Sequence, residues 1–192
     1  MRLSLAAAAR RLRPVPGLPR LWLLSDAARL PDPLPLAARL PPGAAVVARD
    51  LPAPRLAALA ALARRRRLQL LVAAEGRLAL RHAAGLLLPD RRPTRHLLPF
   101  LLARRPGRAL LVAAHGRSGL ARARRLHAEA VLLSPAFPTL SHPGAPALGP
   151  LRWAALAARA GRPVLALGGV TGRSARRLPR RTAGLAAIGG FV

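Results

Sequence analysis

Residues 163–190, PVLALGGVTGRSARRLPRRTAGLAAIGG, decide the fold. They hold two short apolar runs, 163–167 and 184–188, each closed by a glycine pair, Gly168-Gly169 and Gly189-Gly190. Between them lies an Arg-rich stretch whose spacing predicts a helix around 173–178. A short apolar run without alternation is what a parallel strand needs when both of its faces are buried.

Six further runs of the same kind precede these two, at 21–25, 44–48, 68–73, 85–88, 109–113 and 130–133. The segments between them have helical spacing. Leu56, Leu59 and Leu62 share one face, and Arg64, Arg65, Arg66 and Arg67 follow at the C-terminal end, where cations suit the helix dipole. Residues 117–127 and 150–160 read the same way, and Gly161 supplies a C-cap after the second of these. Eight strand–helix alternations predict an α/β chain folded as a (β/α)8 TIM barrel, in one domain over residues 1–192. A doubly wound sheet is the competing architecture, but no GxGxxG turn is present. Little chain follows the eighth run, so the eighth helix is expected to be missing or reduced. Residues 1–19 are a lead-in segment whose helix, over 5–12, covers part of the barrel edge. The Pro-rich stretches at 31–42 and 135–150 read as stiff loops within the domain.

The chain has 192 residues, enough for a sizeable core, and no cysteine, which removes disulfides, thiolate nucleophiles and Cys-based metal sites. Its formal net charge is +27, and all 33 basic residues are Arg, with no Lys. Such a charge would suit a nucleic-acid binder. The arginines are spread over the expected helices, however, and Asn is absent too, so solvated faces and a compositional bias are the preferred reading and nucleic acid is not expected as a partner. The opening MRLSLAAAARRLRP runs quickly into Arg10, Arg11 and Arg13, and no apolar stretch is long enough to span a membrane. A soluble, cytoplasmic protein is expected. Nothing in the sequence points to an oligomeric state.

In such a barrel the reacting groups stand where strands end. Four of the 6 acids in the chain fall there: Asp26, Asp50, Glu75 and Asp90. His115 ends the fifth run and is a candidate acid/base. The glycine pairs after runs seven and eight allow backbone N–H groups to approach a phosphate closely, beside a helix N-terminus. The loop SPAFPTLSHPGAPALG, residues 134–149, is long and stiffened by prolines, and it offers Thr139, Ser141 and His142.

LSPAFPTLSHPGAPALG, PVLALGGV and GLAAIGGF together resemble the thiamine phosphate synthase family, which includes a thiazole tautomerase branch. LWLLSD, VVARD and VAAHGRSG resemble its first, second and fifth strands, so the likeness covers most of residues 20–191. The resemblance implies thiamine biosynthesis. A transferase would join an aminopyrimidine pyrophosphate to a thiazole phosphate and release pyrophosphate. It places Thr139, Ser141 and His142 on the phosphates and the thiazole. The backbones of Gly168, Gly169, Ile188 and Gly189 hold the thiazole phosphate, and Arg49 faces the pyrophosphate. It places Asp90, after strand four, on a Mg2+ ion, and Glu75, next to the end of strand three, is the second candidate metal ligand. The pattern also departs from the family: Val47 and Leu51 replace a Gln and a Lys, Ala73-Ala74 replace Asn-Asp, and Ala113 replaces a Ser. The thiazole-phosphate half is therefore matched and the pyrimidine-pyrophosphate half thinned. Two alternatives stay open: an isomerase of the tautomerase kind using His115, and a non-catalytic binder of a phosphate ligand.

Overall fold

The computed structural model describes residues 4–90, 92–139, 146–189 and 191. Ser141 and His142 lie outside the described residues.

Eight parallel strands close into a barrel in sequence order: β1 Leu21–Leu24, β2 Ala45–Ala48, β3 Gln69–Ala73, β4 Gly85–Leu88, β5 Leu110–Ala114, β6 Ala130–Leu133, β7 Val164–Ala166 and β8 Gly184–Ala187. Each falls on one of the eight apolar runs, trimmed or shifted by a residue or two. Alternate strand residues build two cores. Trp22, Leu24, Val47, Leu71, Leu87, Leu111, Leu132, Leu165 and Ala186 fill the interior, while Leu23, Val46, Val72, Leu86, Val112, Val131 and Leu185 pack beneath the helices.

Trp22 shows why so Ala-rich a sequence still fills a barrel. Its register neighbours on both sides are alanines, Ala45 on β2 and Ala186 on β8, which leave room for the indole. The indole N–H donates to the Pro19 carbonyl at 2.6 Å, so the buried polar atom is satisfied. Gly184 completes the fit, because a Cβ there would stand 2.9 Å from the indole nitrogen and from the Pro19 oxygen.

The outer layer is α1 Leu5–Arg10, α2 Leu34–Ala38, α3 Ala53–Arg66, α4 Gly76–Arg81, α5 Leu97–Ala103, α6 Arg117–Arg125 and α7 Gly149–Ala158. Several of these helices have only two turns or fewer, which is how a barrel fits into a chain shorter than the usual ~250 residues. Helix α3 ends on the left-handed Arg67 (φ 54°), with Arg64, Arg65 and Arg66 in its last turn, as the dipole favours. Helix α7 stops at Arg159, and Gly161 (φ 63°) turns the chain toward β7. Helix α1 touches β1 and β8, and Phe191 packs against the same core, so the barrel seam is covered from both sides. Two expectations are corrected. The Pro-rich stretch 31–42, expected as a stiff loop, holds the short helix α2, whose Pro35 stands in the first turn where a proline costs no hydrogen bond. The segment after β7 forms only a 3-10 turn, Ser174–Arg177, in place of an α-helix. It is fixed by the reciprocal bonds of Thr171 and Ser174, where each backbone N–H donates to the other's hydroxyl at 2.9 and 3.1 Å.

Candidate functional site

The strands' C-terminal ends form a rim whose floor is apolar. Ala73, Ala113, Leu167 and Ile188 close the top of the interior core. A flat, weakly polar ring could rest on such a surface, and the polar groups stand around it.

On the β7–β8 side, the chain after β6 folds back over β7. Ser134-Pro135 is a cis peptide. The Ala136 and Phe137 N–H groups donate to the Leu167 and Gly168 carbonyls at 2.8 and 3.0 Å. This docking gives the first glycine pair its reason. Gly168 and Gly169 have φ 89° and 61°, and a Cβ on Gly168 would meet Pro135 Cα at 2.8 Å. One on Gly169 would overlap the Pro138 carbonyl oxygen. The pair is therefore required by the protein's own loop, whatever else its backbone does. Gly189 differs: among the described residues nothing lies within 4 Å of the position its Cβ would take, and none fills the space above β8 beside Ile188. Thr139 is half-buried at the end of the described part of the loop. With only a 3-10 turn after Gly169, the helix-dipole contribution expected there is not supplied by an α-helix.

Across the rim, Ser25 ties β1 to β2. Its buried hydroxyl accepts the Arg49 N–H at 2.7 Å and donates to the Arg49 carbonyl at 2.9 Å. The Arg49 guanidinium stands 3.9 Å from Asp26, which also binds Arg29 at 3.3 Å. Burial raises the Asp26 pKa, but hydrogen bonds and charge from Arg29, with the Ala28 N–H, outweigh it and hold the carboxyl below its usual value. Neither Ser25 nor Asp26 was singled out from sequence as a partner of Arg49. Their position directly after the first strand was the available signal.

A cavity of about 450 Å³ opens at the ends of β2 and β3 and reaches between α3 and α4. Leu51, Leu56, Val72 and Leu78 line its apolar part, and Asp50, Glu75, Arg92 and Arg95 line its polar part. Arg92 binds Asp50 at 3.3 Å. Glu75 caps α4 by accepting the Arg77 N–H at 3.1 Å, and it hydrogen-bonds His96 Nδ1 at 2.7 Å.

Asp90 and His115 meet between β4 and β5. One Asp90 oxygen accepts the His115 backbone N–H at 3.1 Å and hydrogen-bonds Nδ1 at 2.7 Å. Asp90 is mostly buried (15%) and His115 largely accessible (41%), so a fixed carboxylate orients a reachable imidazole.

The two candidate metal ligands, Glu75 and Asp90, thus each hold an imidazole. Among the described residues no three His, Cys, Asp or Glu side chains come together as a metal-binding group.

The architecture is that of (β/α)8 proteins with their polar groups gathered at the strand-end rim. The family model of thiamine monophosphate synthase (TMP-TENI) matches residues 53–190, and the chain belongs to that family. Thiamine phosphate pyrophosphorylase from Pyrococcus furiosus superposes with a TM-score of 0.70 at 20% identity, covering 88% of this chain and 85% of that one. The 2-keto-3-deoxy-6-phosphogluconate aldolase of Zymomonas mobilis gives a TM-score of 0.61 at 13% identity, over 96% and 86% of the two chains. Its structure with 3-phosphoglycerate gives 0.61 at 14%, over 98% and 86%. At these identities the superpositions speak for the fold. None of the curated proteins compared with the chain matches it. Among the described residues no helix is long and apolar enough to cross a membrane.

Proposed function

We propose that the chain is a thiamine phosphate synthase-like transferase. It would join an aminopyrimidine pyrophosphate to a thiazole phosphate, yielding thiamine phosphate and pyrophosphate. The observation that carries this reading is the presence of two neighbouring spaces on one rim. The apolar floor with open Gly189 suits a thiazole ring and its phosphate. The cavity bordered by Arg92 and Arg95 suits a second, pyrophosphate-bearing substrate.

In the coupling, the bond from the pyrimidine's methylene carbon to the pyrophosphate breaks, and both electrons leave on the pyrophosphate. The thiazole forms the new bond at that carbon. The protein's task is to stabilise the leaving charge in a site with little water. Arg49, its backbone tied down by Ser25 and its guanidinium near Asp26, is the group best held for that task, and Arg92 and Arg95 line the cavity that would take the pyrophosphate. Magnesium belongs to this proposal only as a companion of the pyrophosphate, whose oxygens and water would supply its ligands. The test supplies both substrates with magnesium and follows thiamine phosphate. Product is expected, and Arg49→Gln should lower kcat/KM by roughly 10²–10³, as for loss of one charge-stabilising donor. Absence of product at high enzyme concentration sinks the proposal.

One observation favours a second reading, an isomerase of the tautomerase kind. The Asp90–His115 pair is built as a proton shuttle: with Nδ1–H donated to the carboxylate, Nε2 can take a proton from one ring position and return it to another. Solvent deuterium entering a thiazole carboxylate phosphate, and its loss in Asp90→Asn, would identify that activity. An unchanged exchange rate in His115→Gln would dismiss it.

A further inference from the structure

In a parallel barrel the helix C-termini and αβ loops all lie at the face where strands begin, opposite the rim just described. In this chain that face carries arginines from nearly every helix end and αβ loop, while those on the rim side, such as Arg29, Arg49 and Arg92, stand beside carboxylates. Helix α3 closes on Arg64, Arg65 and Arg66 with Arg67 as C-cap, and the last turn of α6 holds Arg124 and Arg125. The helix dipole accounts for a cation or two per helix, not for four in succession or for those in the loops. Tertiary contacts then draw neighbouring loops together. The Arg13 N–H donates to the Arg180 carbonyl at 3.0 Å, and the Arg124 guanidinium donates to the Arg159 carbonyl at 2.9 Å. The Arg124 guanidinium, like those of Arg20 and Arg66, meets a carbonyl, which neutralises no charge.

The carboxylates are segregated from them. Asp26, Asp32, Asp50, Glu75 and Asp90 all follow strands, on the opposite side of the barrel. Only Glu129 precedes a strand, and it is taken by Arg104 at 2.9 Å. A compositional bias toward arginine acts on the whole chain and does not select the end of a barrel from which acids are missing. The even spread of charge suggested by the sequence is therefore not what the fold produces.

Which polyanion fits is decided by what the face lacks. Trp22, Trp153, Phe100 and Phe137 are buried, and among the described residues Phe191 alone offers an aromatic ring at the surface, half-buried, which is short of the row of platforms that stacking of successive single-stranded bases needs. Of the large exposed apolar side chains, Leu98 and Leu151 stand in the first turns of α5 and α7, on the rim side, and only Leu102, in the last turn of α5, reaches the strand-start face; one leucine is no apolar face for insertion into a lipid surface. What remains is a set of guanidinium forks, matched in geometry to phosphate oxygens. We propose that the strand-start face binds the phosphate backbone of double-stranded nucleic acid, without reading bases.

The experiment measures binding of the full chain to mixed-sequence duplexes, DNA in one arm and RNA in the other, by fluorescence anisotropy at increasing salt. Affinity should fall steeply, by a factor of roughly 10³–10⁵ between 50 and 200 mM salt for six to ten phosphate contacts. Replacing Arg105, Arg125 and Arg159 together by Gln should flatten the log–log salt slope by roughly 2–3. The matching triple on the other side, Arg77, Arg117 and Arg152 to Gln, should leave the slope unchanged. Binding in either arm with this asymmetry supports the proposal, and the tighter arm names the duplex. Equal losses from both triples, no duplex binding by the wild-type chain at low salt, or tighter binding to phosphatidylserine vesicles than to either duplex would each overturn it.

Discussion

The two glycine pairs look alike in sequence, and the structure predicts opposite outcomes when one residue from each is changed to alanine. At Gly169 the backbone has φ 61°, and the added Cβ would overlap the Pro138 carbonyl oxygen and stand 2.9 Å from Phe137 Cβ. The left-handed conformation costs an alanine about 1–2 kcal/mol. Displacing packed backbone adds about 1–3 kcal/mol. A domain of this size loses roughly 2–4 °C in Tm per kcal/mol, so Gly169→Ala should melt roughly 10 °C lower. At Gly189 no atom of the described residues lies within 4 Å of the new Cβ, and the change should move stability by no more than about 0.5 kcal/mol. That open space is the proposed seat of the thiazole phosphate. Filling it should remove one close hydrogen bond to a charged group, worth about 1.5–3 kcal/mol. Kd should rise by roughly 10- to 100-fold. Calorimetric titration with the thiazole phosphate, beside thermal melts, reads both effects. If Gly189→Ala binds as tightly as the wild-type chain, the phosphate is not held there; if Gly169→Ala melts normally, the loop contact does not constrain that glycine.

Two further perturbations probe the rest of the rim and the outer layer. Ser25→Ala should cost about 1–3 kcal/mol by leaving the Arg49 N–H and carbonyl without their partner; it should also raise KM for the pyrophosphate substrate, and an unchanged KM and Tm would show that Ser25 does not position Arg49. Burial first, then the charges of Arg81 and Arg64, lower the pKa of His82 below its usual 6.5, so the folded chain takes up that proton less readily than the unfolded one. Stability should therefore decline as pH falls below about 6.5. In His82→Gln that decline should be shallower in urea melts between pH 7 and pH 5, and an identical profile would remove His82 as its source.

Much of the fold was legible because parallel strands buried on both faces must be continuously apolar. Eight such runs, including the weakly distinctive Gly85–Leu88, appear as strands within a residue or two. The 3-10 turn at Ser174–Arg177 was not foreseen, since the same residues could propagate a helix and only the Thr171–Ser174 bonds show where the chain is held. The acids at the rim could be placed, but not their partners. Asp90 and His115 lie 25 residues apart, and Glu75 and His96 lie 21 apart. Spacing of that kind carries no contact information. The glycine pairs were equally ambiguous, because a glycine that admits a ligand and one that admits the protein's own loop are the same letter.

The sequence by itself determined a single (β/α)8 chain, its strand positions and a family likeness in its second half, because apolar periodicity and short motifs are local properties. Tertiary structure alone decided three things: that Asp90 and Glu75 each hold a histidine, that Gly169 serves the chain while no described residue crowds Gly189, and that five of the 6 carboxylates gather at the rim while the arginines of the opposite face are left almost without them. Each depends on barrel closure, which brings the ends of neighbouring strands within hydrogen-bonding distance and sends every helix terminus to the same face.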